Sequence, residues 1–170
     1  NRPHKLQKVF STPTVSKYGV DKEAQTATRL LHFATCVHCN HSFLPDYFAH
    51  VKVPGWDKPL EEITKSNLNT TNWRGATLFC PKCGLDPQLH HTRMQFVAEN
   101  SSENHDANAW YASPFSAHNI IKPSYLVQVS TQYSKYSEFK NQSLGIVAED
   151  KNEAITEEDI DQAQRFHDLS

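Results

Sequence analysis

The chain has four cysteines, and they fall as two pairs: Cys36-Val37-His38-Cys39 and Cys80-Pro81-Lys82-Cys83. Each pair holds two residues between its thiols, so a tight loop can set both sulfurs on one side with backbone N–H groups aimed at them. Two such loops facing each other supply the tetrahedral set of four thiolates that Zn²⁺ takes in a structural site. The residues that follow the pairs fit this reading. After the second thiolate the chain must turn sharply, usually through positive φ. Gly84 does so freely, and Asn40 is of the next most tolerant type. One structural Zn²⁺ held by Cys36, Cys39, Cys80 and Cys83 is expected.

Other uses of the same residues are open. Two disulfides could form in an oxidising compartment, and four N-x-[ST] sequons (Asn40, Asn69, Asn100, Asn141) would suit a secreted chain. Asn40, however, sits inside the proposed knuckle, a poor place for a glycan. A thioredoxin-like redox site normally has one CxxC at a helix start, not two symmetric ones. His38 and His41 beside the first pair, or His90 and His91 after the second, could complete a three-cysteine, one-histidine site. With four cysteines already suitably spaced, these histidines read as surface or packing residues.

Strand-like runs precede both pairs, at Leu30–Phe33 and Ala76–Phe79, so strand, knuckle and strand are expected twice over. A polar stretch, 16–29, leads into the first strand. Val51–Val53 reads as a strand ending at the turn pair Pro54-Gly55, and 54–75 reads as an insertion forming a mobile excursion. Met94–Ala98 is a strand, 99–108 a polar loop, and Ala109–Ala112 a further strand. Pro123 then suits the first position of a helix. Tyr125, Leu126, Val129 and Tyr133 share a face of it. Ser137 can cap another helix that buries Phe139 and stops at Gly145. A last helix is expected from the Thr156-Glu157-Glu158-Asp159 cap, with Ile160, Ala163 and Phe166 on one side. Because these caps and faces are local, the helical end, 123–168, is expected to depend little on the metal.

The fold class expected is α+β: a zinc ribbon of short antiparallel strands followed by C-terminal helices. Only 38% of the 170 residues are apolar, a lean supply for a core, and no run approaches the length of a membrane span. The chain opens on Asn1 and has a single methionine, Met94, so a piece of a longer protein is expected. Net charge is −2, but it is unevenly spread. Residues 146–170 carry eight acids and two bases, whereas 1–145 carry fifteen bases and eleven acids. A weakly basic body with an acidic tail permits nucleic-acid contact without demanding it. The sequence has no phosphate loop of the GxxxxGK[ST] type, no GxGxxG, no GxSxG and no HExxH.

Taken in order, these landmarks resemble the large terminase subunit of tailed bacteriophages, in its zinc-bearing, lambda-type branch. Val9-Phe10-Ser11-Thr12-Pro13-Thr14 is similar to the segment after the family's ATPase acid motif. The paired CxxC module follows, with Asn40 where a glycine is usual. Gln95–Asn100 matches the strand after the second knuckle, and Ala109–Phe115 the aromatic "SPF" segment. Phe139, Asn141, Leu144 and Gly145 match an "F-x-N-x-x-L-G" signature. Ile155–Glu158 resembles the approach to the nuclease domain.

The resemblance implies three regions: 1–29, the end of an ATPase-type region and linker; 30–115, a zinc-ribbon module with the insertion 54–75; and 116–170, a helical connector toward a nuclease. The phosphate loop and ATPase acids would precede residue 1, and the nuclease carboxylates would follow residue 170, so no catalytic residue carries over. Ser11, Thr12 and Pro13 would form a motor-coupling segment. The parent would cut double-stranded DNA and pump it with ATP, working with a portal, a small terminase subunit and a procapsid in the cytoplasm of the infected bacterial host. Lys52, Lys58, Arg74, Lys82 and Arg93 lie near the ribbon and are candidate DNA contacts, with solvated surface charge the plainer reading. Trp56 and Trp73 could stack on bases or simply pack locally. The functional alternatives are a free-standing zinc-ribbon module of transcription or replication machinery, and a protein-binding zinc module.

Overall fold

The structure, a computed structural model, describes residues 9, 11, 12, 19–99 and 104–148, without the side chains of 104–106. Pro13 and the expected last helix lie outside the described residues.

The chain is mixed α/β, with short mainly antiparallel strands, C-terminal helices and the four cysteines clustered. It begins with a helix, α1 (Gly19–Thr26), where only a polar lead-in was expected. Asp21 supplies an acid in its first turn, and Gln25 Nε2 donates to Asp21 Oδ2 one turn away at 2.6 Å. α1 buries none of its residues, which is why apolar periodicity gives no sign of it.

β1 (Ala27–Thr35) follows directly and is the hub of the larger sheet. It pairs antiparallel with β2 (Ser42–Phe43) across the first knuckle, and antiparallel with β5 (Met94–Ala98), Leu30 facing Ala98. β6 (Asn104–Tyr111) lies along β1 in parallel, Leu30 facing Trp110. This departs from the expected antiparallel pattern. The chain reverses direction between β5 and β6, so the strands flanking β1 on its two sides run opposite ways. β6 also takes in Asn104–Asn108, which reads as loop by composition. Its ladder uses backbone groups and needs no apolar side chains, and the register shifts at Ala27/Thr28 to absorb extra residues.

A second, two-stranded sheet joins β3 (Val51–Lys52) to β4 (Thr77–Leu78). The second knuckle therefore has no return strand of its own; β4 pairs backward with β3. Past Leu85 the chain meets Pro87, which lacks an N–H, and Gln88 at φ 49, and neither suits a ladder.

A short helix, α2 (Tyr47–His50), is capped by Asp46, whose Oδ1 accepts from Ala49 N–H at 2.7 Å. It feeds Tyr47 into the core. Residues 54–75, expected as an excursion, place Leu60 and Ile63 in that core through short 3₁₀ turns. Trp56 and Trp73 pack against it, and Trp56 Nε1 donates to Pro59 O at 3.1 Å. The core continues through Phe115 into α3 (Pro123–Ser130) and α4 (Tyr136–Leu144).

α3 starts at Pro123 as expected, but buries Leu126, Val127 and Ser130 and leaves Tyr125 53% exposed. The helix ends at Ser130, so Tyr133 lies beyond it and cannot define its face. α4 is preceded by Lys135, with Ser137 inside its first turn rather than capping it. It buries Phe139 completely and ends at Gly145, φ 65, while Ile146 N–H closes onto Lys140 O at 3.0 Å. Among the described residues no helix is long and apolar enough to cross a membrane.

Candidate metal centre

The two knuckles have the same backbone wiring. Cys36 N–H donates to His41 O (2.9 Å) and Asn40 N–H to Cys36 O (3.0 Å). Cys80 N–H donates to Leu85 O (2.8 Å) and Gly84 N–H to Cys80 O (2.9 Å). Each loop closes on its own first cysteine through a residue in the left-handed region, Asn40 at φ 55 and Gly84 at φ 74, as the sequence predicts.

The loops face each other. Cys36 Sγ lies 3.7 Å from Cys83 Sγ, Cys39 Sγ lies 3.6 Å from Cys80 Sγ, and all four sulfurs fall within 4.8 Å of one another. A tetrahedral ion with metal–sulfur bonds of about 2.3 Å places its ligands about 3.8 Å apart. The residues present therefore fit one metal ion, and a four-sulfur tetrahedral set is one that Zn²⁺ or iron accepts. All four cysteines are free thiols, not disulfides. The cluster takes in no histidine. His90 and His91 instead lie ring to ring at 4.2 Å, and His41 contributes its backbone carbonyl.

Cys36 and Cys80 are fully buried, while Cys39 and Cys83 are partly exposed. Burial opposes ionisation of Cys80. The backbone N–H groups of Cys83 and Lys82, with thiol hydrogen bonds from Cys39 and Cys83, outweigh it and bring the thiol down to about 7. Cys39 receives the His41 backbone N–H, which favours its thiolate. Burial and its thiol partners Cys80, Cys83 and Cys36 win over that and push it up to about 12. A bare cluster thus gives up one proton readily and holds another strongly. A divalent cation is what lets all four ionise together.

Of the five candidate DNA-contacting cations, three lie over aromatic rings. Lys52 Nζ is 4.2 Å from the Phe79 ring centre, Lys58 Nζ 5.8 Å from Trp56, and Arg74 Cζ 4.5 Å from Trp73. Lys58 also pairs with Glu62 at 3.8 Å. Lys82 is exposed beside its knuckle. Arg93 turns inward instead: its guanidinium donates to Thr35 O (3.3 Å), Cys36 O (3.2 Å) and Asn40 Oδ1 (2.6 Å). Sequence reading misses this role. The one available signal is an asparagine where the second knuckle has glycine. Ser11 and Thr12 are exposed, with Ser11 Oγ donating to Thr12 O at 3.2 Å. The four cysteines are brought together, Arg93 braces the first knuckle, and Lys82 sits within the second with its side chain exposed.

No family model matches the chain, and no characterised protein or solved structure matches it either.

Proposed function

We propose that this chain is an α+β zinc-ribbon connector from a phage DNA-packaging motor of the terminase large-subunit type, structural in its own right. The observation that carries the reading is the four-sulfur cluster, which joins segments forty residues apart, the knuckle between β1 and β2 and the knuckle that follows β4. Two of the sequence segments that resemble terminase, Ala109–Phe115 and Phe139–Gly145, reach into the core. In the SPF segment, Pro114 opens a 3₁₀ turn and Phe115 is 1% exposed. In the F-x-N-x-x-L-G segment, Phe139 and Leu144 are buried and Gly145 takes the left-handed turn. There Asn141 grips the outgoing chain, its Nδ2 donating to Ala148 O (3.1 Å) and its Oδ1 accepting from Ala148 N–H (2.7 Å).

Two measurements test the reading. The isolated chain should hydrolyse no ATP and cut no DNA, since its sequence carries no phosphate loop and clusters acids only in the 146–170 tail. Turnover by protein freed of contaminants would sink the connector reading. Double-stranded DNA should bind weakly and without sequence preference. Residues 1–145 carry fifteen bases against eleven acids, and four thiolates with one Zn²⁺ add a net −2. With Arg93 committed to the knuckle, few phosphates can be neutralised. A titration from low to high salt should give a log–log slope of about −2 to −3, at about −0.9 per phosphate. A steep slope, or strong discrimination among duplexes, would favour a free-standing nucleic-acid-binding ribbon.

A further inference from the structure

Arg93 ends the 3₁₀ turn His91–Arg93, immediately before β5. Its three acceptors bracket the first knuckle. Thr35 O is where the chain enters, and Asn40 is where it leaves. Cys36 O is the oxygen on which Asn40 N–H closes the loop. The second knuckle makes the same closure with Gly84, beside whose missing Cβ there is nothing within 4 Å. Among the described residues no side chain hydrogen-bonds to that loop as Arg93 does to the first. Asparagine is the more strained choice for a left-handed position. It offers what glycine lacks, an oxygen, and that oxygen makes the shortest of the three bonds to Arg93.

We propose that Arg93 is a positioning residue of the metal centre: its planar fork holds the Cys36–Cys39 loop in its ligating shape and ties that loop to β5. The proposal rests on the four cysteines holding Zn²⁺. Two effects act together. The loop's carbonyls and the Asn40 side chain are fixed before metal arrives, so less order is lost on binding. A permanent positive charge also sits against the knuckle of a centre whose four thiolates and Zn²⁺ sum to −2. Lysine brings the charge but not the rigid fork that reaches three acceptors at once. Arg93 touches no metal; it acts through the loop that carries two of the ligands.

The test uses the full 170-residue chain, as wild type, Arg93→Met, Arg93→Lys, Asn40→Gly and the Asn40→Gly/Arg93→Met pair. Zinc affinity is read by competition with a chromophoric chelator, and ligand geometry by the visible bands of bound Co²⁺. Arg93→Met should weaken zinc binding by about 10–100-fold, the usual cost of losing an outer partner of a metal ligand, and should shift the Co²⁺ bands. Arg93→Lys should recover only part of both. Asn40→Gly keeps the backbone turn and takes away one of the three acceptors of Arg93, so it should weaken binding less. In that background Arg93→Met should cost less than it does in wild type, because one of its three bonds is already gone. Zinc affinity within about twofold of wild type and unchanged Co²⁺ bands in Arg93→Met would overturn the proposal. So would full rescue by lysine, which would reduce the role to bulk charge. If Arg93→Met does not fold, undiminished affinity in Asn40→Gly overturns it instead. Failure of the wild type itself to bind zinc would remove the four-cysteine reading along with the proposal, and is recognised because every variant then fails alike.

Discussion

Cys80→Ser is expected to empty the metal centre. The wild type should hold one Zn²⁺ per chain by elemental analysis, and the variant should hold almost none after dialysis against a mild chelator. Cys80 is fully buried and lies 3.6 Å from Cys39 Sγ, so serine leaves three thiolates around a gap. Binding of a structural zinc supplies roughly 10–16 kcal/mol, while a whole domain's net stability is about 5–15. Losing it should therefore unfold the region around both knuckles and open it to protease. Acid should do the same to the wild type, because protons compete for the thiolates: affinity rises with pH and is lost as pH falls. His38→Ala and His91→Ala should keep the metal, since neither residue joins the cluster. Zinc retained in full by Cys80→Ser would break the four-cysteine assignment; zinc lost from either histidine variant would point to a mixed site.

The second large effect is expected at Phe139. Its ring is completely buried and meets Tyr136 at 5.3 Å, Tyr47 at 5.4 Å and Tyr133 at 5.9 Å between centres. Phe139→Ala removes the ring that joins α2 to α4 and should cost about 3–5 kcal/mol. In a chain of this size that lowers the melting temperature by roughly 10 °C. Tyr125→Ala is the informative control. Helical spacing alone puts Tyr125 on the apolar face, whereas it is 53% exposed. Its loss should stay within about 0.5 kcal/mol. Urea unfolding with zinc in excess separates the two, and equal costs would show that the helical core is packed differently.

The sequence reveals the site more fully than the elements around it. Cysteine spacing and the two left-handed residues, Asn40 and Gly84, specify local geometry that needs no distant partner, and both knuckles form as read. Pro123 and Gly145 mark helix ends for the same local reason. What was not legible depends on tertiary pairing. β4 turns back to β3 because Pro87 and Gln88 deny it a strand on the other side. β6 recruits polar residues that only a ladder partner could make a strand. Arg93 looks like any surface base until β5 brings it beside the first knuckle. The helical end, which reads as self-sufficient, shares one core with the second sheet: Leu78 of β4 belongs to the same cluster as Leu126, Val127 and Phe139. Loss of metal should therefore loosen the helices as well, and proteolysis of Cys80→Ser should reach into 123–144.

The central place of β1 has a consequence for how the protein is made. Two of its three partners come from far along the chain: β5 begins at Met94, and β6 ends at Tyr111. At synthesis rates of about 5–20 residues per second, β1 waits roughly 4–15 s on the ribosome before its last neighbour emerges. Until β5 emerges, Leu30, Leu31 and Phe33 have no strand beside them, because the two-residue strand β2 pairs only with Ala34 and Thr35. Cys80 and Cys83 emerge partway through the wait, so a metal captured then would draw the first knuckle and the end of β1 into a fixed shape before the sheet can close around them.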